Sequence, residues 1–445
     1  MKLKNKLMSA MIALLLMCAM LITAACGTIS ETAGSTASAG TVSFASVSEN
    51  SSSSYTVSAV SASSAESAGD FITDAFSKRD LAGTYDTVEA IAITLSGSSA
   101  SASGSGVSVN GSVVTITEAG TYILSGTLDN GYVVVNVSKE DKVQLVLNGA
   151  DISSETFAAI YAASADKVFI TLADGTENSL SNGGSFVQTD DNSVDAVIFS
   201  KDDLTLNGSG TLTITSPAGH GISAKDELVI TGGTYVITAA NHGIEANDSL
   251  AVSDGSITVR AGKDGIHVEN DDDDTLGNIY IESGSFSVTC GDDGIHANTL
   301  IVIDGGTFSI TAAEGVEATY ITINGGDITI AASDDGINAA RKSSAYTPTV
   351  EINGGSITIT MGSGDTDGID SNGNIIMNGG TVNVTGNSSF DYDGTARFNG
   401  GTIIVNGQQL DYIPNQMMGG MGGQQGGMGG QQGGSGGFGG RGGRR

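Results

Sequence analysis

A Gly followed by Ile or Val returns through residues 219–405 at near-constant spacing, and this recurrence restricts the possible folds more than any other feature. The copies are Gly221-Ile222, Gly243-Ile244, Gly265-Ile266, Gly294-Ile295, Gly315-Val316, Gly336-Ile337 and Gly368-Ile369, with steps of 22, 22, 29, 21, 21 and 32 residues. A second phrase, built on the glycines 233, 255, 284, 306, 326, 355, 380 and 401, keeps the same period. Two independent phrases on one period define a stack of similar units.

Five and three residues before these glycines stand Leu228/Ile230, Leu250/Val252, Ile279/Ile281, Ile301/Ile303, Ile321/Ile323, Val350/Ile352 and Ile375/Met377. The residue between them varies freely, so each phrase reads as a short strand with one apolar face. The alternation restarts after the glycines, at Tyr235/Ile237, Ile257/Val259, Phe286/Val288 and Phe308/Ile310. A third strand carries the Gly-Ile phrase. Three short strands and two tight corners in about 22 residues predict an all-β solenoid, a parallel β-helix. Helical repeats are excluded, because no repeat holds ten residues at 3.6 periodicity. Leucine-rich and nonapeptide calcium repeats do not fit the residue pattern or the period. Extra residues around Asp271–Gly277 and Arg341–Thr349 lengthen two repeats without disturbing the flanking pattern.

Residues 1–25 read as a lipoprotein signal peptide: Lys2, Lys4 and Lys6 precede an apolar run that ends Thr23-Ala24-Ala25-Cys26. Cys26 is then the lipidated residue, which would tie the chain to the extracytoplasmic face of a bacterial membrane. Cys290 is left as a lone thiol in an alanine-rich core position, so no disulfide framework is expected. Residues 26–68 read as a Ser/Ala-rich tether and 69–88 as an N-terminal cap. The β-helix is expected over 89–410, about 60 Å long at ~4.8 Å per coil, and a Gly/Gln/Met/Arg tail over 411–445. A net charge of −31 argues against nucleic acid as a partner, and a monomer is expected.

Two positions flank the Gly-Ile phrase. Before it stand His220, His242, Asp264, Asp293, Glu314, Asp335 and Asp367; after it stand Ser223, Glu245, His267, His296, Glu317, Asn338 and Asp370. Stacking would bring these acids, with the nearby Asp292, Asp334 and Asp365, within about 4.8 Å of their equivalents, where ionised like charges repel. A hard cation with oxygen ligands relieves that repulsion. Calcium is therefore expected, held by Asp264, Asp292, Asp293, Glu314, Glu317, Asp334, Asp335, Asp365, Asp367 and Asp370. The alternative is that these are ordinary turn residues beside glycine. The acidic loop Glu269–Asp274 is a weaker candidate of the same kind. The histidines read as hydrogen-bonding neighbours of the cation rather than as a zinc site. If the chain does chemistry, Arg260, Lys263 and His267 are the candidates, as parts of a polysaccharide lyase. With no Trp, stacking on sugar rings would fall to Tyr280, read as outward-facing, and Tyr320.

The stretches Phe76-Ser77-Lys78-Arg79-Asp80-Leu81, Val143-Gln144-Leu145-Val146-Leu147-Asn148-Gly149, Leu172-Ala173-Asp174-Gly175-Thr176-Glu177-Asn178 and Phe199-Ser200-Lys201-Asp202-Asp203-Leu204 resemble a family of exported, clostridial-type bacterial carbohydrate-binding domains. The resemblance spans about residues 71–410. It implies a right-handed parallel β-helix like that of pectate lyases, bound calcium, and affinity for cellulose-like and pectin-like polymers. The family's acidic phrase matches Asp292-Asp293-Gly294-Ile295, Asp334-Asp335-Gly336-Ile337 and Asp367-Gly368-Ile369, whereas His220 and His242 depart from it. The combined expectation is a cell-surface lipoprotein that binds polysaccharide. A calcium-dependent polysaccharide lyase and a non-catalytic adhesin are its rivals.

Overall fold

The computed structural model describes residue 72, residues 75–364 and residues 366–416. Every named element among them is a strand, and the strands form one 23-stranded and one 12-stranded sheet. The aliphatic columns follow directly from the repeat. Leu228, Leu250, Ile279, Ile301, Ile321, Val350 and Ile375 lie in register across successive parallel strands. Tyr235, Ile257, Phe286, Phe308, Ile328, Ile357 and Val382 form a second column, within which the Phe286 and Phe308 rings stack at 4.6 Å. Ile222, Ile244, Ile266, Ile295, Val316, Ile337 and Ile369 form a third, in the 12-stranded sheet. All three face one continuous core.

The right-handed parallel β-helix of uniform 22-residue coils, and with it the pectate-lyase-like fold of the resemblance, is corrected by the pairing. Six strands close on themselves as an all-parallel barrel. Lys142–Ser154 pairs with Lys167–Leu172, which pairs with Asp203–Gly208, then Glu227–Ala239, Thr211–Ser216 and Glu177–Asn182, which returns to Lys142–Ser154. The barrel continues into a large sheet that is mixed: Ile91–Gly97 pairs antiparallel with Ser99–Ala102, and Thr402–Val405 with Gln408–Leu410. The physical reason lies at the corners. Glycine pairs were read as strand ends, but the 13-residue strands Lys142–Ser154 and Glu227–Ala239 run through their glycines and pair on both sides of the bend.

Glycine is required at two kinds of position for different reasons. At the corner, Gly306 has φ +102°, a left-handed conformation that other residues avoid. In the Gly-Ile phrase, a Cβ on Gly243 would come within 2.3 Å of Val259 Cγ1, so that glycine admits a core side chain from the other sheet.

The corner also carries a hydrogen-bonded chain of amides. Asn399 Nδ2 donates to Asn378 Oδ1 at 2.7 Å, Asn378 to Asn353 at 2.7 Å, Asn353 to Asn324 at 2.8 Å, and Asn324 to Asp304 Oδ1 at 2.7 Å. Tyr280 Oη donates to the other carboxylate oxygen of Asp304 at 2.8 Å.

Tyr280 is not the exposed ring expected from strand alternation; it is buried. Its face of the sheet is covered by the segment that precedes the strands. Phe76 packs on Tyr280 with ring centroids 5.8 Å apart, and Ile72 and Ala75 join the same cluster. Further along, Arg79 lies over the Phe169 ring, and the buried Asp80 pairs with Lys167 at 2.8 Å and accepts from Thr205.

Cys26, the signal, the tether and the tail beyond residue 416 fall outside the described residues, so the lipoprotein and membrane-anchor expectation gains no structural support; residues 411–416, expected in the tail, instead pack on the last strands, with Ile413 buried and Gln416 Oε1 accepting from Ser389. No helix among the described residues is long and apolar enough to cross a membrane.

Candidate metal centre

The strands His220–Ala224, Ile244–Ala246, Ile266–Val268, Asp293–Ala297, Glu314–Ala318, Ile337–Ala339 and Ile369–Ser371 stack in parallel. Alternation turns the isoleucines into the core and the next residue to the opposite face. Ser223, Glu245, His267, His296, Glu317, Asn338 and Asp370 therefore form one column in register. The residues before each Gly-Ile converge on it: Asp264 lies 2.7 Å from His267 Nδ1, and Asp293 lies 2.8 Å from His296 Nδ1.

All four histidines of the protein lie along this column, His267 and His296 within it and His220 and His242 immediately before the Gly-Ile phrase. Their rings stack in series, His220 on His242 at 5.0 Å, His242 on His267 at 4.2 Å and His267 on His296 at 4.8 Å, each within 21° of parallel. An imidazole coordinates through an in-plane lone pair. His242 and His267, though stacked, bring ligand atoms within 4.8 Å of one another and of Asp264, and so belong to one cluster.

Asp264 takes two of these rings: His242 Nδ1 is 3.0 Å from its Oδ2, and His267 Nδ1 is 2.7 Å from the same oxygen. Burial opposes the charge on Asp264, but these imidazoles and the Asp293 N–H hold its carboxyl well below the usual range. Burial lowers His242, against the pull of Asp264. His296 is the reverse case. Burial opposes its proton, yet hydrogen bonds to Asp293 and Glu317 push it up to about 10.

Beyond His296 the column turns acidic. Asp293, Glu314 and Glu317 each bring a carboxylate oxygen to within 4.8 Å of the others. Lys342 Nζ reaches Glu317 at 2.9 Å, and Asn338 Nδ2 donates to Glu314 at 3.0 Å. Burial, then the charge of Glu317, pushes Glu314 up to about 8. Burial and neighbouring acids likewise raise Asp335 to about 6 and Asp370 to about 7. Burial is the main cause of these shifts and neighbouring acids add to it, so ionising all of these groups together is costly. The donor set of Asp293, Glu314 and Glu317 is all oxygen, which suits a hard divalent ion. The column as a whole contains several His/Asp/Glu clusters able to coordinate a metal ion.

Other expected site residues lie apart. Asp292 and Asp334 are exposed at the rim of the column, and Asp365 lies outside the described residues. Asp367 accepts from Ser388, and its N–H donates to Asp335 Oδ1 at 2.9 Å. Arg260 and Lys263 are exposed, and neither forms a salt bridge among the described residues. Tyr320 donates to Glu351 at 2.6 Å. In the loop Glu269–Asp274, Asp273 accepts from the N–H and hydroxyl of Thr275, while Asp274 accepts from Ser344. Both carboxylates are thus engaged in joining turns. Cys290 is half-buried, and burial pushes its thiol up to about 12.

Lys342 was legible only as a basic residue. Its partner could not be read, because the insertion carrying it is placed by Ser343 Oγ donating to the Asp274 carbonyl at 2.6 Å, 69 residues away. Asp195, beside His220, was missed because no Gly-Ile phrase follows it.

Alongside the acids runs an open groove of about 430 Å³, lined by Cys290, Ala312, Ala313, Ala332, Ser333 and Met361 among others. Its lining residues carry no Asp, Glu, Lys or Arg; Glu314 and Asp334 are the next residues in the chain after Ala313 and Ser333.

An all-β framework carries this carboxylate and imidazole column. The chain belongs to the family of carbohydrate-binding domain-containing proteins, whose model matches residues 110–366 and 313–411. A carbohydrate-binding domain-containing protein of Acetivibrio thermocellus is 41% identical over 128 residues, which are 28% of this chain and 45% of the relative. The chain thus spans less than half of that relative's length. Among solved structures, a polysaccharide lyase-like protein from C. thermocellum, determined as a gadolinium derivative, is 33% identical with a TM-score of 0.47, covering 54% of this chain and 94% of that one.

Proposed function

We propose that this chain binds an acidic polysaccharide along the groove beside the column, through calcium held by Asp293, Glu314 and Glu317. The observation that carries this reading is the oxygen-only cluster itself, three carboxylates within 4.8 Å on a protein of net charge −31. A surface this acidic repels a polyuronate unless a cation lies between them. A hard cation with remaining coordination positions binds both partners. Membership of the carbohydrate-binding family supports the class of ligand, and the export-type leader in residues 1–25 supports an extracytoplasmic location. The test is retention on insoluble polygalacturonate and cellulose with calcium and with chelator. Calcium-dependent retention on the uronate polymer is expected; equal retention with chelator would refute the bridging role.

A second reading, a cation-assisted polysaccharide lyase, has one observation in its favour. Lys342 places an ammonium in the acidic cluster, where a positive group would neutralise a uronate before elimination. Its partner Glu317 raises its pKa against the effect of burial, so Lys342 would act as a charge and not as the base. Ultraviolet-absorbing unsaturated ends appearing on polygalacturonate, and lost in Lys342→Met, would establish this reading over simple binding.

A further inference from the structure

We propose that Asp195, His220 and Glu245 form a second metal site, distinct from the oxygen cluster, that takes one borderline divalent transition ion of the zinc type. His220 is only 7% exposed. Its Nε2 lies 3.6 Å from Asp195 Oδ2, and its Nδ1 lies 3.8 Å from Glu245 Oε2. One ligand atom from each residue lies within 4.8 Å of the others.

These separations are too long for hydrogen bonds. The two ring nitrogens point apart, so one ion takes only one of them; either separation is near the donor–donor edges of roughly 3.3–3.6 Å that follow from tetrahedral bonds of about 2.0–2.2 Å. Two atoms point to the same conclusion independently: His220 Nδ1 and Asp195 Oδ1 are buried without a hydrogen-bond partner. A buried polar atom left unpaired is costly, and a metal bound through Nδ1 would relieve it. In the other histidine clusters the imidazoles already have carboxylate partners at 2.7–3.0 Å.

The donors set the metal class. One nitrogen with two carboxylates suits zinc, cobalt or nickel, whereas calcium and magnesium favour oxygen alone. The cluster holds one imidazole; His242 stacks on His220 at 5.0 Å and 17° but pairs with Asp264 at 3.0 Å. Lys225 Nζ stands 3.2 Å from Glu245 Oε2 and competes with the ion for that oxygen. It weakens the site without removing a donor.

Cobalt(II) is titrated into the full chain in excess calcium, and its visible absorption and binding heat are read; zinc is then used to displace it. One cobalt equivalent with a tetrahedral-type band is expected, displaced by zinc and not by calcium. His220→Ala and His220→Gln should each weaken binding roughly tenfold to a hundredfold, the range for loss of a metal-site partner, with the folded state checked by circular dichroism. Lys225→Met leaves the buried ring untouched and should tighten binding by a similar factor. The proposal is overturned by absence of a stoichiometric band, by displacement with calcium, by unchanged affinity in folded His220 variants, or by no gain in Lys225→Met.

Discussion

Lys342 Nζ sits 2.9 Å from Glu317 Oε2, and His296 Nδ1 approaches the same oxygen at 3.0 Å. Two cations thus share one carboxylate oxygen, and each arrives from a different part of the chain. Lys342→Met removes one of them. The Lys342 side chain is 38% exposed, so in chelator the loss should be below about 1 kcal/mol. Calcium should then raise Tm more in the variant than in the parent, since the ion replaces the missing charge. A thermal melt with and without calcium checks both signs.

Stability without divalent ions should fall as pH rises. Glu314 at about 8, Asp370 at about 7 and Asp335 at about 6 bind protons more tightly when folded than when unfolded. Their contribution is present below the ordinary carboxylate range and is lost as pH climbs through these values. His296, at about 10, acts in the same direction, with its contribution full below about 6.5 and lost toward 10. Asp264 and Glu317, both lowered, oppose this only at the acid end, and His242, also lowered, opposes it up to about 6.5. Urea unfolding in chelator should therefore give greater stability near pH 5.5 than near pH 8.5, and saturating calcium should flatten the difference.

Tyr280→Ala separates packing from recognition. The ring packs on Phe76 and its hydroxyl holds Asp304, so truncation should cost about 3–5 kcal/mol, as for large aromatic deletions. Retention of the folded fraction on polysaccharide should not change. A selective loss of retention with normal unfolding would place Tyr280 at the ligand surface.

The amide chain predicts a graded pair. Asn353→Ala interrupts it between Asn324 and Asn378 and should cost about 0.5–1.5 kcal/mol. Asn353→Asp should cost more, because its carboxylate would face the Asn324 oxygen with no hydrogen to donate. Chemical denaturation of the two variants gives the order directly.

The repeat made the rungs legible but not their closure. Apolar alternation located Ile244, Ile266 and Ile295 because burial on one face leaves a period-two record in the residues. Whether a strand ends at a glycine pair or bends through it leaves no such record. Glu227–Ala239 contains Gly232 and Gly233 yet pairs on both sides of them, and the barrel depends on that continuity. The column was legible for the same reason as the core: His267, His296 and Glu317 occupy one offset in every repeat. Contacts between distant segments were not legible. Tyr280 has the alternation of an exposed residue, and only the fold reveals that Phe76, over 200 residues earlier, covers it.

Each amide in the corner chain is followed by glycine, as Asn324-Gly325, Asn353-Gly354, Asn378-Gly379 and Asn399-Gly400. In a flexible peptide this pairing ages fastest, because the glycine nitrogen attacks the neighbouring side-chain carbonyl and closes a succinimide. Here the nitrogens of Gly354, Gly379 and Gly400 donate to main-chain carbonyls at 3.3 Å, and the Asn378 and Asn399 amides are held by the rungs before them. The ladder therefore acts as a chemical preservative: the bonds that align the corner also hinder spontaneous conversion to aspartate at Asn353, Asn378 and Asn399, three of its four most perishable residues.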